Sequence, residues 1–170
     1  MALLAPAVAE AGAPEELAGL FMQGCLPFAG KPAALRAWAA QMGLQPVPEQ
    51  ARTAFLHGAP GQAFDASADG IKLVLASSDD GICSAVTDHA TQADVTAALE
   101  GALQQAGLKF RLVIERDDAK IGTIHDREYL AADDKVGWRV LAATVKDPAG
   151  GEAMLTAAPE VPAAPAKPNP

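Results

Sequence analysis

The stretch that decides the fold is Thr91-Gln92-Ala93-Asp94-Val95-Thr96-Ala97-Ala98-Leu99-Glu100-Gly101-Ala102-Leu103-Gln104-Gln105-Ala106-Gly107, followed at once by Leu108-Lys109-Phe110-Arg111-Leu112-Val113-Ile114-Glu115. Thr91 stands in capping position with an acid, Asp94, three residues on. Val95, Ala98, Leu99, Ala102, Leu103 and Ala106 then recur at helical spacing, and Gly107 occupies the stop position. Across Gly107 the period drops from 3.6 to 2. Leu108, Phe110, Leu112 and Ile114 alternate with Lys109, Arg111 and Glu115, the pattern of a half-buried antiparallel strand. A long amphipathic helix running straight into an alternating strand points to helices lying on an antiparallel sheet.

Upstream, the same reading gives three short strands, Gln62 to Ala66, Ile71 to Ser77 and Ile82 to Thr87. They are separated by Ala68-Asp69-Gly70 and Asp79-Asp80-Gly81, whose Asp-Gly pairs supply the positive φ a tight turn needs. Before them come three helical segments: Pro14 to about Cys25, Lys31 to Met42 with Leu35, Trp38, Ala39 and Met42 on one core-facing stripe, and Glu49 to Leu56. Downstream, Asp117-Asp118 turns the chain into strands at about Ile121 to Leu130 and Val136 to Lys146, with Trp138, Val140 and Leu141 available for burial. The expected fold class is α+β: an N-terminal helical layer, then two three-strand antiparallel meanders separated by one long helix, with the helices packed on antiparallel sheet. Strands do not alternate with helices, which excludes a parallel doubly wound sheet. A single domain is expected over residues 14–147. Residues 148–170 hold six of the 13 prolines and read as a Pro/Ala-rich tail without a core of its own. Residues 1–13 read as a signal-peptide remnant or a flexible leader, because Ala7-Val8-Ala9 and Ala9-Glu10-Ala11 have the small-x-small form of a cleavage site.

Composition narrows the function. The 170 residues carry 21 Asp+Glu against 13 Lys+Arg, a formal charge of −8, which opposes phosphate backbones and anionic lipid; no nucleic-acid partner is expected. No apolar run reaches the roughly 18 residues a membrane-spanning helix requires, so no membrane span is expected either. Cys25 and Cys83 are too far apart for a Cys-x-x-Cys redox pair or a zinc knuckle. Their apolar settings favour a structural disulfide over two buried reduced thiols, and a disulfide belongs to an oxidising compartment.

Candidate sites are sparse. His57, His89 and His125 fall in no metal-binding frame, and no metal or cofactor is expected. The densest polar run is His125-Asp126-Arg127-Glu128; on a strand His125 and Arg127 share one face, with Asp126 and Glu128 on the other, an arrangement suited to a solvated or partner-facing surface. The pairs Asp79-Asp80, Asp117-Asp118 and Asp133-Asp134 are explained by turn chemistry. Ser84 lacks a nucleophile elbow, and the glycines at Gly58 and Gly61 lack a phosphate-loop lysine.

Gly24-Cys25, the Lys31-to-Met42 helix, Ala54-Phe55-Leu56 before Pro60-Gly61, and Asp79-Asp80-Gly81-Ile82-Cys83 ahead of Thr91 together resemble an uncharacterised family of small two-cysteine exported proteins of alphaproteobacteria. The resemblance covers roughly Leu17 to Ile114. It implies a periplasmic domain with Cys25 and Cys83 paired, and it transfers no active site. The functional expectation is a non-catalytic periplasmic accessory or binding subunit whose partner is another protein of the cell envelope. Docking is expected through Pro159, Pro162, Pro165 and Pro168, with His125 and Arg127 as further contacts. A periplasmic inhibitor or immunity protein covering a basic enzyme site is the alternative, and a small hydrolase using His125 or His57 the second alternative.

Overall fold

A computed structural model describes residues 12–160. Pro14 at the start of the first helix and Glu15 and Glu16 in its first turn favour the N-terminus of α1 (Ala13–Leu20). The chain continues without a break into a π-helical turn, Phe21–Cys25, and a 3-10 turn, Leu26–Phe28. Then follow α2 (Pro32–Gln41), β1 (Gln45–Pro46), α3 (Glu49–Phe55), β2 (Gly61–Asp65), β3 (Leu73–Ser78) and β4 (Cys83–Ala90). The second half comprises α4 (Gln92–Gln105), β5 (Lys109–Asp117), β6 (Ile124–Ala132), β7 (Gly137–Val145) and β8 (Gly151–Pro159). Thr91 caps α4 as its sequence requires, its hydroxyl accepting the amide of Asp94.

All eight strands form one antiparallel sheet in the order β1-β2-β3-β4-β8-β7-β6-β5. The α+β class is as expected, with four α-helices and a dominant sheet. The sheet is continuous because β8 lies between the two meanders, pairing with β4 through Ala85↔Leu155 and with β7 through Ala142↔Leu155. This corrects the expected tail: residues 151–159 are a central strand, and the domain extends beyond residue 147. Gly151-Glu152-Ala153-Met154-Leu155-Thr156-Ala157-Ala158-Pro159 does alternate, with Ala153, Leu155 and Ala157 fully buried, but three small alanines and a proline hide the signal in composition. Pro159 is tolerated because the pairing with β4 ends at Ala157, so β8 is locally an edge there, paired with β7 alone. Pro162, Pro165 and Pro168, and the leader up to residue 11, lie outside the described residues.

The core sits between the sheet and α1, α2 and α4, built from Leu17, Phe21, Leu35, Leu75, Leu99, Leu103, Val140 and Leu155. Cys25 and Cys83 are joined, Cα to Cα 5.2 Å, tying the π-turn to the first residue of β4. Close approach there requires glycine: a Cβ on Gly24 would meet the Trp38 ring at 2.9 Å, and one on Gly81, at φ +93°, would meet the backbone of Gly30 at 2.7 Å. Trp38 is partly buried against this region, whereas Met42, expected on the same stripe, is 57% exposed because α2 ends at Gln41. On the opposite face of the sheet, α3 and Leu56 cover Ala63 and Ala76 of β2 and β3. No helix among the described residues packs on that face over β5–β7.

Candidate functional site

The richest cluster of ionisable side chains lies where β5 and β6 run out past α4. Register pairs Glu115 with Arg127 and Asp117 with His125, and a bulge between Leu112 and Ile114 resets the alternation of β5. Before the bulge, Phe110 and Leu112 face the helices. After it, Ile114 opposes Glu128 on the uncovered face, while Glu115 and Asp117 turn to the helix side. Strict alternation over Leu108 to Ile114 therefore holds only as far as Leu112.

On the helix side the contacts form one chain. Lys146 Nζ donates to Asp117 Oδ2 (2.7 Å), and Asp117 Oδ1 lies 3.0 Å from His125 Nδ1. His125 Nε2 lies 3.3 Å from Glu115 Oε1, which also accepts from Arg127 Nη1 (2.5 Å). Arg127 Nε donates to the Tyr129 hydroxyl (2.8 Å) and Nη2 to Glu100 of α4 (3.3 Å); the Tyr129 hydroxyl in turn donates to Glu100 (2.8 Å). Hydrogen bonding from His125, and then the charge of Arg127, hold Glu115 below the ordinary carboxylate range. Lys146 first, then His125, do the same for Asp117. Burial, reinforced by Glu100, pushes the Tyr129 phenol up to about 12, so it stays protonated as a donor. Burial opposes the charge of Arg127, but Tyr129 and Glu115 outweigh it and hold its pKa above the usual value.

This chemistry suits a latch better than a catalyst. A general base needs one ring nitrogen aimed at substrate, and both nitrogens of His125 face carboxylates. Among the described residues no group of three His, Cys, Asp or Glu side chains is arranged to hold a metal ion. An open groove of about 870 Å³ adjoins the cluster, lined by Thr91, Gln92, Thr96, Glu100, Arg127 and Lys146. His125 and Arg127 share a face as their spacing predicts. Tyr129 falls on the same face by the same period of two, whereas Glu100, Glu115 and Lys146 are partners that no local pattern announces, since they come from α4, β5 and the residue after β7. Asp118 and Asp133 accept turn amides as predicted, but Asp117 leaves the turn and joins the latch.

The other predicted residues lie elsewhere. His57 follows α3 at φ 50° and lines a groove of about 240 Å³ with Asp80, Ser84 and Thr156. There Ser84 and Thr156 hydrogen-bond each other (2.9 Å), and Asp80 accepts from Ser78 and the Ile82 amide. Among the described residues no hydrogen bond joins the His57 ring to either pair. Pro159 is exposed at the opposite end of the sheet from the latch. Its ring lies over Gly30, and it lines an apolar groove of about 670 Å³ with Met22, Leu26, Leu108, Val136 and Trp138. Comparison of the chain with family models, with characterised proteins and with solved structures finds no match.

Proposed function

We propose that the chain is a non-catalytic accessory or binding subunit of a cell-envelope complex, acting in the periplasm and engaging its partner in part through its Pro-rich C-terminal segment. The observation that carries this reading is Pro159, held at the end of the central strand on the rim of an apolar groove that includes Trp138. It is the first of four prolines spaced by three, Pro159, Pro162, Pro165 and Pro168. Three residues per turn is the repeat of polyproline II, so that spacing would present one proline face, the form in which Pro-rich segments are recognised by proteins. The Cys25–Cys83 disulfide supports an oxidising compartment.

The test is affinity co-purification from the native host with the full chain and with a chain ending at Glu160. A stoichiometric envelope partner held by the full chain and lost on truncation is the expected result. Undiminished capture by the truncated chain would remove the docking role of the segment; a full chain that captures nothing would overturn the binding-subunit reading.

A further inference from the structure

The charge of the chain is unevenly spread. Eight of the 13 Lys+Arg but only seven of the 21 Asp+Glu fall between Lys109 and Lys146, so this stretch carries +1 and all the rest −9. Within it, Arg127 and Lys146 are taken up by the latch on the helix side. Register puts Lys109, Arg111, Arg116 and Arg139 on the opposite, uncovered face, against Asp126 and Glu128. Arg139 pairs with Glu128. Arg111 has no ion pair among the described residues, and Lys109 has only a long contact, 3.9 Å, to the exposed Asp134.

These two cations sit beside apolar ground on the last strand of the sheet. A shallow hollow of about 320 Å³ is lined by Lys109, Arg111, Leu130, Ala132, Gly137 and Glu160. Being terminal, β5 also directs part of its backbone N–H and C=O groups outward, a template for another strand. β5 runs on to Asp117, but the irregularity after Leu112 resets its alternation, so Lys109–Leu112 is the stretch on which the cations alternate with apolar side chains. Along it Lys109 and Arg111 point to the uncovered face, and half-buried Phe110 and 38% exposed Leu112 to the other. The complement is an extended segment alternating acidic and apolar residues.

We propose that Lys109–Leu112 of β5 is a docking edge for such an acidic segment of a partner protein, its carboxylates on Lys109 and Arg111. Strand addition supplies the hydrogen bonds and the charges supply selectivity. Nucleic acid is disfavoured as occupant by the −9 that the rest of the chain carries. The hollow adjoins the Pro159 groove, its Lys109, Gly137 and Glu160 following Leu108, preceding Trp138 and following Pro159 of that groove, so the edge is titrated on a chain ending at Glu160 as well as on the full chain, and it stands if both bind alike.

The probe is a synthetic acetyl-Glu-Leu-Glu-Val-Glu peptide titrated into the isotope-labelled full chain, with the Lys-for-Glu peptide as control. Amide shifts should concentrate on Lys109–Leu112 and the adjoining Leu130, Ala132 and Gly137, and should shrink as salt is raised from about 50 to about 300 mM. Lys109→Glu with Arg111→Glu should weaken the acidic peptide by about tenfold or more and favour the basic one. Both positions are exposed, and an unchanged thermal midpoint confirms that the variant is folded. Equal binding of the two peptides, shifts confined to another surface, or affinity that survives the double charge reversal would each overturn the proposal.

Discussion

The two halves of the sheet are built to one plan and held by different means. Residues up to Ala90 supply helices and then a meander ending in β4; residues from Thr91 supply α4 and a meander ending in β8; and the two last strands pair at the centre. The first half is covered on both faces, by α1 and α2 on one side and α3 on the other, and carries the Cys25–Cys83 bond. The second is covered on one face only, and its far end is closed by the chain from Lys146 to Glu100. The electrostatic latch leaves one face of β5–β7 open, and there lie Arg111, without an ion pair among the described residues, and Lys109, with only the long contact to Asp134.

The largest expected effect lies in the first half. Replacing both Cys25 and Cys83 with Ser removes a cross-link between residues 58 apart, worth about 4 kcal/mol in the chain-entropy model. Denaturant unfolding should show that loss, and native hydrogen exchange should speed in β2–β4 more than in β5–β7. Equal acceleration of both would break the distinction between the halves. Next in size is Leu155→Ala, at the fully buried centre of β8, which should cost about 3 kcal/mol. Because β8 belongs to both ladders, unfolding should remain one transition; two separated transitions would show that the halves fold independently.

The smallest effect is on pH dependence. Glu115 and Asp117 are held below their ordinary values, so their contribution is complete above the unfolded carboxyl range near pH 4 and is lost as pH falls through the lower folded values. Both groups are well exposed, so the effect is modest. Acidification from about pH 5 to about pH 2 should therefore loosen the β5–β6 end, and Lys146→Ala should reduce that sensitivity there. Exchange at β5–β6 that follows the same pH course in the wild type and the variant would show that the latch does not close the second half.

Periodicity made α4, the Asp-Gly turns and the three strands before α4 readable, since each rests on neighbours within a few residues. It did not reveal β8, where Ala153, Ala157 and Ala158 bury well but carry little local signal, and where proline drew attention to a tail. The latch was half legible. Sharing of a face by His125 and Arg127 follows from a period of two, but Glu115 and Asp117 reach that face only through the bulge at Val113. A bulge depends on how β6 lies against β5, which alternation within β5 does not encode.

By itself, then, the sequence determined the order of the helices and of the strands from β2 to β7, the turns, the separation of the two cysteines and the gathering of cations after Lys109. Those properties are set by local backbone preference and by composition. Tertiary structure alone decided that β8 joins the two meanders and that Lys146, Asp117, His125, Glu115, Arg127 and Glu100 form a single chain. Each of those depends on register between segments distant in sequence, where burial and pairing across the sheet outweigh what neighbouring residues prefer.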